Sequence, residues 1–325
     1  MLTTSGNCGQ VAIVDRDPSQ PTCVSNFLRV LRVDRTVSDP QYLFHYMNRR
    51  PFVTQLRPFI RGSTLQNLSV NAALAALGVP VPPLDEQRRI AAVLDRAEAL
   101  RAKRREALAH LDALTQSIFL DMFGDPNVLR TKWPITPLGS LLQSARYGTS
   151  SRAGTTGKYP VLRMGNLTTN GEIDLSDLKY MDLARADRER YTVRFGDVVF
   201  NRTNSPDLVG KTAMFRQATP MAYAGYLIRL RVNEANCPDY VAAFMNTVYT
   251  KRVLRSMCKS IIGMANINAR EVQSISIGVP PKELQLRFSE RAHEVETAKV
   301  EQRRALGDLD ALFASLQQRA FAGQL

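Results

Sequence analysis

The sequence is poor in residues that mark secreted, membrane or metal-binding proteins. It has three histidines and four cysteines, and no two cysteines form a CxxC pair. We interpret Cys8, Cys23, Cys237 and Cys258 as reduced thiols rather than disulfides or zinc ligands. No apolar run approaches the ~20 residues needed to span a bilayer. The N-terminal MLTTSGNCGQ lacks the basic and apolar regions of a signal peptide. We expect a cytoplasmic protein without membrane contact.

Catalytic motifs are also missing from the sequence. There is no GxxxxGK[ST] loop for a nucleotide, no GxGxxG cradle for a dinucleotide and no HExxH zinc motif. His45, His110 and His293 stand alone in the sequence, and acidic pairs such as Glu294 and Glu296 are predicted to lie on helical faces, which does not indicate a catalytic pair. We therefore expect no catalytic residue, no metal site and no cofactor in this chain.

Positive charge is abundant, and its location is uneven. The formal net charge is +13, but the two segments 84–125 and 282–325 together carry −1, so the rest of the chain carries +14. A basic excess confined to particular segments is typical of proteins that bind a polyanion. A basic surface without any partner is the alternative.

An internal repeat organises the chain. VPPLDEQRRI from Val81 resembles VPPKELQLRF from Val279, and SDPQYLFHYMN from Ser38 resembles NCPDYVAAFMN from Asn236. These blocks, and HLDALTQSIFLDMF against DLDALFASLQQRAF, keep one offset of 198 residues. A duplicated unit explains the common offset. The first copy lacks the counterpart of roughly Trp133 to Ser205, so we expect it to be incomplete by ~70 residues.

The globular part of one unit mixes strands and helices. We predict strands at Val198–Phe200, in YLIRLRV and at Ile275–Val279, and two short strands around the turn residues Asn170–Gly171. Asp239–Met257 is predicted to be one helix that begins at Pro238. The fold class is therefore α/β or α+β.

Each unit ends in a long helix. Nothing between Pro83 and Gly124 breaks the helical pattern, which predicts ~40 residues and ~60 Å. A heptad repeat fits both tails and predicts that they pair as a coiled coil within a pseudo-twofold molecule. A helix lying on its own domain is the alternative. The predicted seam comprises Ile90, Val93, Ala97, Leu100, Arg104, Leu111, Leu114 and Ile118, with Phe288, Val295, Ala298, Gln302, Leu309, Leu312 and Leu316.

Two similar basic units on paired helices suit DNA with two half-sites. The blocks WPITPLGSLL, GKYPVLRMGNLTTNGEIDL, RFGDVVFNRTNSPDLVGKTAMF and VPPLDEQRRIAAVLDRAEAL resemble the specificity (S) subunits of type I restriction-modification systems. The resemblance implies two target recognition domains, each reading half of a bipartite site on double-stranded DNA, and an antiparallel coiled coil that sets their spacing. It also implies a non-catalytic chain that binds methyltransferase (M) subunits carrying S-adenosylmethionine and recruits a restriction (R) subunit that uses ATP and Mg.

The resemblance divides the chain into four parts. Residues 1–83 correspond to a partial first recognition domain, 84–125 to the first long helix, 126–281 to a complete second recognition domain and 282–325 to the second long helix. The partial first domain leaves three outcomes open: an inactive remnant that only pairs with other subunits, a subunit that reads one half-site, or a subunit completed by another chain such as a second S copy. An enzyme fused to a recognition domain is a further alternative, which would need a cofactor loop or metal ligands.

Candidate DNA-binding residues lie in the loops of the second unit. Arginine pairs with guanine and asparagine with adenine, whereas cations in flexible loops suit phosphates. For Asn166 and Asn170 a role in turns is the alternative, and for Arg202 a plain surface charge. The candidates for bases are Arg163, Asn166, Arg202 and Asn204; those for phosphates or turns are Arg152, Lys158, Asn170, Lys211, Arg255 and Lys259.

Overall fold

The computed structural model describes residues 1–14, 23–126, 132–205, 208–261 and 264–325, with the backbone alone for 259–261 and 264. The helices are α1 Pro40–Met47, α2 Arg50–Leu56, α3 Val70–Ala76, α4 Leu84–Phe123, α5 Arg188–Tyr191, α6 Pro238–Met245, α7 Val248–Met257, α8 Ala269–Gln273 and α9 Lys282–Ala320. The strands are β1 Leu2–Thr3, β2 Leu28–Arg29, β3 Ile60–Arg61, β4 Asn67–Leu68, β5 Ile135–Pro137, β6 Leu142–Tyr147, β7 Tyr159–Leu162, β8 Lys179–Met181, β9 Thr192–Val193, β10 Val198–Asn201, β11 Thr203–Asn204, β12 Thr212–Met214, β13 Met221–Tyr223, β14 Leu227–Val232, β15 Lys259–Ile261, β16 Met264–Asn266 and β17 Ser276–Gly278.

The chain forms two compact units. Unit 1 consists of Met1–Ala107 and Glu301–Leu325, and unit 2 of Leu108–Val300. The start of α4 and the end of α9 therefore belong to unit 1, while the end of α4 and the start of α9 belong to unit 2.

The long helices have the expected extent. α4 runs for 40 residues and α9 for 39. Asp85 and Glu86 occupy the first turn of α4, where the helix dipole favours negative charge. Gly124 ends α4 with a φ of +83°, and its amide donates to the carbonyl of Leu120 at 2.8 Å. A left-handed glycine satisfies the last carbonyls of a helix in this way.

The repeated Pro-Pro motif positions a buried glutamine at the start of each long helix. In unit 1 the Gln87 amide donates to the Pro82 carbonyl at 2.7 Å, and its oxygen accepts from the Asp39 amide at 2.9 Å. In unit 2 the Gln285 amide donates to the Pro280 carbonyl at 2.9 Å, and its oxygen accepts from the Cys237 amide at 2.9 Å. Gln87 thereby fastens α4 to the N-terminal end of α1, and Gln285 fastens α9 to the N-terminal end of α6.

Aromatic rings form a corresponding core in each unit. In unit 1 the ring of Phe321 lies 5.2 Å from that of Tyr42, beside the buried Leu94 of α4. In unit 2 the ring of Phe123 lies 4.9 Å from that of Tyr240. The start of one long helix and the end of the other thus share a core within each unit.

The predicted seam needs a correction in its second row. In the first row Ile90, Ala97, Phe288 and Val295 are buried, and Arg104 donates to Gln302 at 2.6 Å. However, Leu100, Leu114 and Leu312 are 52%, 39% and 50% exposed, and Val93 and Ala298 are only half-buried. The second packed row lies one residue later, at Leu94, Arg101, Ala292, Lys299 and Phe313.

Charged residues in that packed row explain the error. Arg101 and Lys299 look like surface residues in a hydrophobicity pattern, which therefore favours the neighbouring Leu100 and Ala298. Both cations are nevertheless covered, because each one pairs with a carboxylate on the opposite long helix. Burial of a charge is tolerated only with such a partner.

Most of unit 2 is a lobe of small sheets, residues 135–278. One sheet has the strand order β12-β10-β14-β6 and is antiparallel, and a second has the order β8-β7-β13-β9 with one parallel pair, β7 and β13. β11, β16 and β15 form a third sheet, and β17 pairs with β5. The predicted strands at 198–200, 226–232 and 275–279 correspond to β10, β14 and β17. The dominant antiparallel pairing places the mixed fold in the α+β class.

Two local predictions differ from the structure. The helix predicted for Asp239–Met257 is two helices, because Asn246 and Thr247 end α6 and begin α7. The Thr247 hydroxyl caps α7 by accepting from the Thr250 amide at 3.2 Å. Around Asn170–Gly171, the described residues show β7 and an isolated bridge between Leu167 and Ile173 rather than two strands.

Unit 1 contains a smaller counterpart of the lobe. β1 pairs with β2, and β3 with β4, over a core that includes Leu2, Phe52 and Leu56. Thr4 receives the same main-chain contacts as Arg202, which lies 198 residues later. The Thr4 amide donates to the Phe27 carbonyl at 2.8 Å, as the Arg202 amide donates to the Tyr226 carbonyl at 3.0 Å.

Candidate nucleic-acid interface

An arginine and two exposed tyrosines lie together on the lobe. Arg202 directly follows β10, Tyr147 ends β6 and Tyr226 precedes β14. The Arg202 guanidinium lies 4.9 Å from the centre of the Tyr147 ring. The two tyrosines are 42% and 52% exposed. A guanidinium and aromatic faces at one surface suit hydrogen bonding and stacking with nucleic-acid bases.

The backbone beneath this group is fixed on both sides. The Arg202 amide donates to the Tyr226 carbonyl at 3.0 Å, and the Arg202 carbonyl accepts from the Ile267 amide at 2.9 Å. The Tyr147 hydroxyl accepts from the Ala269 amide at 2.8 Å. The arginine and the Tyr147 ring therefore start from defined positions, and the reach of Arg202 is set by its side chain alone.

A cationic cleft adjoins Tyr147. Its volume is about 310 Å³, and Arg146 and Arg190, both exposed, line it together with Tyr191 and Gly148. No carboxylate pairs with Arg146 or Arg190 in the part of the chain that the structure describes. Unpaired arginines in a cleft are suited to phosphate groups. Sequence reasoning missed Arg146, Tyr147, Arg190 and Tyr226; the Arg-Tyr pair just before Gly148 was the available signal.

A buried layer supports the cleft from below. The Tyr223 hydroxyl lies 3.3 Å from the Arg146 carbonyl and 3.1 Å from the Arg190 carbonyl, and its burial raises the pKa of Tyr223 to about 12. Arg229, which pairs with Arg146 in the β14–β6 register, is buried and donates to the Glu189 carbonyl at 2.8 Å. Burial lowers the pKa of Arg229, although the nearby Tyr223 opposes this.

Three of the predicted DNA-binding residues are engaged inside the protein. Arg163 forms an ion pair with Asp177 at 2.8 Å. Asn166 is buried, and its amide group bonds the Arg163 amide and the carbonyls of Asp174 and Asp177. Asn170 donates to Asp112 of α4 at 3.0 Å. Because these side chains already form bonds within the fold, we do not carry them into the interface.

The remaining candidates are spread over the lobe. Arg152 and Lys158 are exposed in the β6–β7 loop, and Arg255 is exposed near the end of α7. Asn204 is half-buried in β11, where its oxygen accepts from the Ser205 amide at 2.9 Å. Lys211 is half-buried, and burial lowers its pKa. The side chain of Lys259 lies outside the described part of the chain.

Unit 1 has a polar cleft at the position that corresponds to the Arg202 surface. The cleft measures about 620 Å³ and runs alongside Thr4. Amides and one cation line it, and Phe27 is 52% exposed at its edge. The polar lining consists of Ser5, Asn26, Arg29, Asn67, Ser69 and Asn71.

Neither a metal centre nor a membrane span is found among the residues that the structure describes. No three histidine, cysteine, aspartate or glutamate side chains come together as metal ligands. In the same residues, no helix is apolar enough over a sufficient length to cross a bilayer.

Comparison with known proteins shows similarity to type I specificity subunits. Residues 1–110 match the family model described as the type I restriction modification DNA specificity domain. The EcoKI specificity subunit of Escherichia coli (strain K12) is 23% identical over 322 residues, which cover 92% of this chain and 68% of that protein. The StySPI specificity subunit of Salmonella potsdam is 22% identical over 318 residues, with the same shares of 92% and 68%.

Solved structures agree with this fold. The S subunit of the type I restriction-modification system from M. genitalium superposes with a TM-score of 0.58 at 15% identity, covering 98% of this chain and 82% of that one. The fold therefore combines the mixed lobe and long helices of this class of protein. The resemblance expected from the sequence is confirmed: the family model and these relatives support a specificity subunit of a type I restriction-modification system. These relatives are named as specificity subunits, which is consistent with the expectation that this chain is not an enzyme.

Proposed function

We propose that this specificity subunit reads one half of a double-stranded DNA target with the lobe of unit 2. The observation that carries the proposal is the Tyr147–Arg202–Tyr226 surface beside the Arg146–Arg190 cleft. Arg202 bonds to base edges, and the tyrosines pack against exposed base or sugar faces. Arg146 and Arg190 hold phosphates, which fixes the register at which Arg202 meets the bases.

The cations of the β6–β7 loop extend the phosphate contact. Arg152 and Lys158 are exposed between β6 and β7 and add sequence-independent attraction. Such contacts raise affinity and make it dependent on salt without selecting a sequence. Selectivity then comes from Arg202, with Asn204 as a second candidate at the neighbouring strand β11.

The long helices form an antiparallel coiled coil with pseudo-twofold symmetry. Contacts inside the units support this arrangement. Arg101 of α4 pairs with Asp310 of α9 at 2.6 Å in unit 1, and Lys299 of α9 pairs with Asp112 of α4 at 2.9 Å in unit 2. Each residue of one pair lies 198 positions from its counterpart in the other. A coil of this kind fixes the spacing between two DNA-reading regions.

The corresponding cleft of unit 1 is the candidate reader of the other half-site. Its asparagines offer the donor and acceptor pair that recognises adenine, and Arg29 offers a cation. There are two alternatives: the chain reads only one half-site, or another chain contributes the missing part of the first domain. The sequence of the bound DNA distinguishes them.

The exposed leucines of the coil dock the methyltransferase subunits. Leu100 and Leu114 of α4 and Leu312 of α9 are too exposed to serve the packing between the helices. Apolar residues along the outside of a coil suit a protein partner. The docked subunits carry S-adenosylmethionine, and the assembled complex recruits the restriction subunit with its ATP and Mg.

Selection of DNA by the purified complex tests the proposal. The chain, co-purified with its methyltransferase subunit, is mixed with random duplex DNA, and the bound molecules are sequenced. We expect a defined motif to be enriched, and the enrichment to fall in the Arg202→Ala variant. Equal recovery of all sequences by the wild-type complex would overturn the proposal in favour of a subunit that only pairs with other proteins.

A further inference from the structure

Lys299 of α9 joins three separate segments of unit 2. It is only 3% exposed, and its ammonium lies 2.9 Å from the Asp112 carboxylate of α4. The same ammonium lies 2.8 Å from the Glu172 carboxylate, which belongs to the lobe. A single buried cation therefore connects both long helices to the lobe.

The segment that carries Glu172 is seated on the helices by further contacts. Asn170 donates to Asp112 at 3.0 Å. Gly171 has a φ of +82°, and a Cβ at this position would lie 2.7 Å from the Asn246 amide nitrogen of the α6 end. Residues 168–172 close on themselves through the Thr168 amide and the Glu172 carbonyl at 3.0 Å. The turn is thus held close to both the long helices and the lobe core.

The electrostatics of the junction require both carboxylates. Burial alone lowers the pKa of Lys299, but the hydrogen bonds that its ammonium donates to Glu172 and Asp112, together with their charges, outweigh burial and raise the pKa. The lysine therefore stays charged. If either carboxylate were removed, the buried Lys299 ammonium would keep a single carboxylate partner. The segment that carried the lost carboxylate would then no longer be bound to Lys299.

The corresponding position in unit 1 lacks a link of this kind. Arg101 pairs with Asp310 of the opposite helix, as Lys299 pairs with Asp112. Its second carboxylate is Glu98, which lies one turn earlier on α4 itself. Lys299 therefore links both long helices to the lobe in unit 2, whereas the carboxylates that pair with Arg101 in unit 1 both lie on the long helices.

We propose that Lys299 and Glu172 are positioning residues that fix the direction of the lobe on the two long helices and so determine the half-site spacing that the complex accepts. This inference rests on the proposed function. The turn at 168–172 lies between β7 and β8 of the lobe, so a rotation of the lobe about that turn moves the Arg202 surface. Reading within one half-site uses Arg202 and its neighbours, which the junction does not touch.

Methylation of DNA libraries by the assembled complex tests the inference. The wild-type motif is determined first. DNA libraries are then made that keep the sequences of both half-sites but lengthen or shorten the spacer between them by one or two base pairs. Glu172→Gln removes the lobe arm of the junction but leaves the Lys299–Asp112 pair. We expect methylation at neighbouring spacers to rise several-fold relative to the preferred spacer, with the bases preferred inside each half-site unchanged.

Matched variants distinguish this role from a loss of folding. Glu98→Gln removes the equivalent carboxylate beside Arg101 and should keep the wild-type spacer profile, and Lys299→Arg should keep it too. Hydrogen exchange of the free chain should be faster at residues 168–172 in Glu172→Gln and unchanged in the core strand β10.

A wild-type spacer profile in Glu172→Gln, or unchanged exchange at the turn, would overturn the inference while leaving the proposed function intact. Absence of any motif for the wild-type complex would instead refute the proposed function, and the inference with it.

Discussion

Lys299 and Asp112 form an ion pair of 2.9 Å, and Arg101 and Asp310, at the positions 198 residues away, form the corresponding pair at 2.6 Å. The cation lies on α9 in one pair and on α4 in the other. The same exchange applies to the ring contacts of Tyr42 with Phe321 and of Tyr240 with Phe123. The repeated sequence therefore forms equivalent contacts in the two units. In each unit, these contacts join the start of one long helix to the end of the other.

Arg202 should be the most important single residue for sequence selection. Arg202→Ala removes a guanidinium that can pair with guanine, so we expect DNA binding to weaken by about 1–3 kcal/mol. Fluorescence titration with the selected motif measures this change. Arg163→Ala is the control, because Arg163 already pairs with Asp177, and it should leave base preference unchanged. A larger loss of selectivity in the control would reverse the assignment.

The cations of the cleft should govern the salt dependence. Each of Arg146→Gln and Arg190→Gln removes one phosphate contact, so the slope of log affinity against log salt should become shallower by about 0.9 for each change. Arg152→Gln with Lys158→Gln should act in the same direction. Binding isotherms at several salt concentrations give the slopes. Weaker binding with an unaltered slope would show that these side chains do not meet phosphates.

Substitutions at two leucines of α4 should affect protein stability and partner binding separately. Leu94 is buried among Tyr42 and Phe313, so Leu94→Ala should reduce the free energy of unfolding by about 2–5 kcal/mol. Leu100→Ala should change it by no more than about 0.5 kcal/mol, because the side chain is exposed. Urea unfolding measures both. Co-purification of the methyltransferase subunit should be weakened by Leu100→Ala, and its full retention would contradict docking on this face.

Lys251 should make stability depend on pH. Its ammonium donates to the Gly210 carbonyl at 2.6 Å and to the Asn246 oxygen at 2.8 Å, while burial lowers the pKa of Lys251 to about 7. Between about pH 7 and the ordinary value of 10.5 the unfolded chain binds more protons at this site, so the free energy of unfolding increases with pH in this window.

A methionine at this position isolates the effect. Lys251→Met cannot titrate, so the difference in unfolding free energy between wild type and variant should shift in favour of wild type as the pH rises from 7 to 10.5. Urea unfolding at a series of pH values measures this difference. A constant difference would mean that the lysine keeps an ordinary pKa in the folded protein.

The sequence predicted the extended features better than the contacts. Unbroken helical sequence between Pro83 and Gly124, and apolar runs such as Val198–Phe200, determine local structure strongly, and both are present as predicted. The second seam row was wrong because a heptad places apolar residues three or four positions apart, and the pattern alone chose Leu100. Only the position of Asp310 shows that Arg101 is the covered residue.

The interface was harder to predict for a similar reason. Asn166 and Arg202 look alike as polar residues beside predicted strands. Their roles separate only when the chain folds, because Asp174 and Asp177 return to bond Asn166 while Tyr147 arrives beside Arg202 from another strand. Side-chain partners that come from distant segments leave no local signal in the sequence.

The most direct test of sequence-specific reading is a comparison of DNA methylation in cells with and without this gene, in the presence of the methyltransferase subunit. We expect methylation at one bipartite motif to disappear when the gene is deleted and to return with the wild-type chain, but not with Arg202→Ala. Identical methylation patterns with and without the gene would contradict a role in target selection.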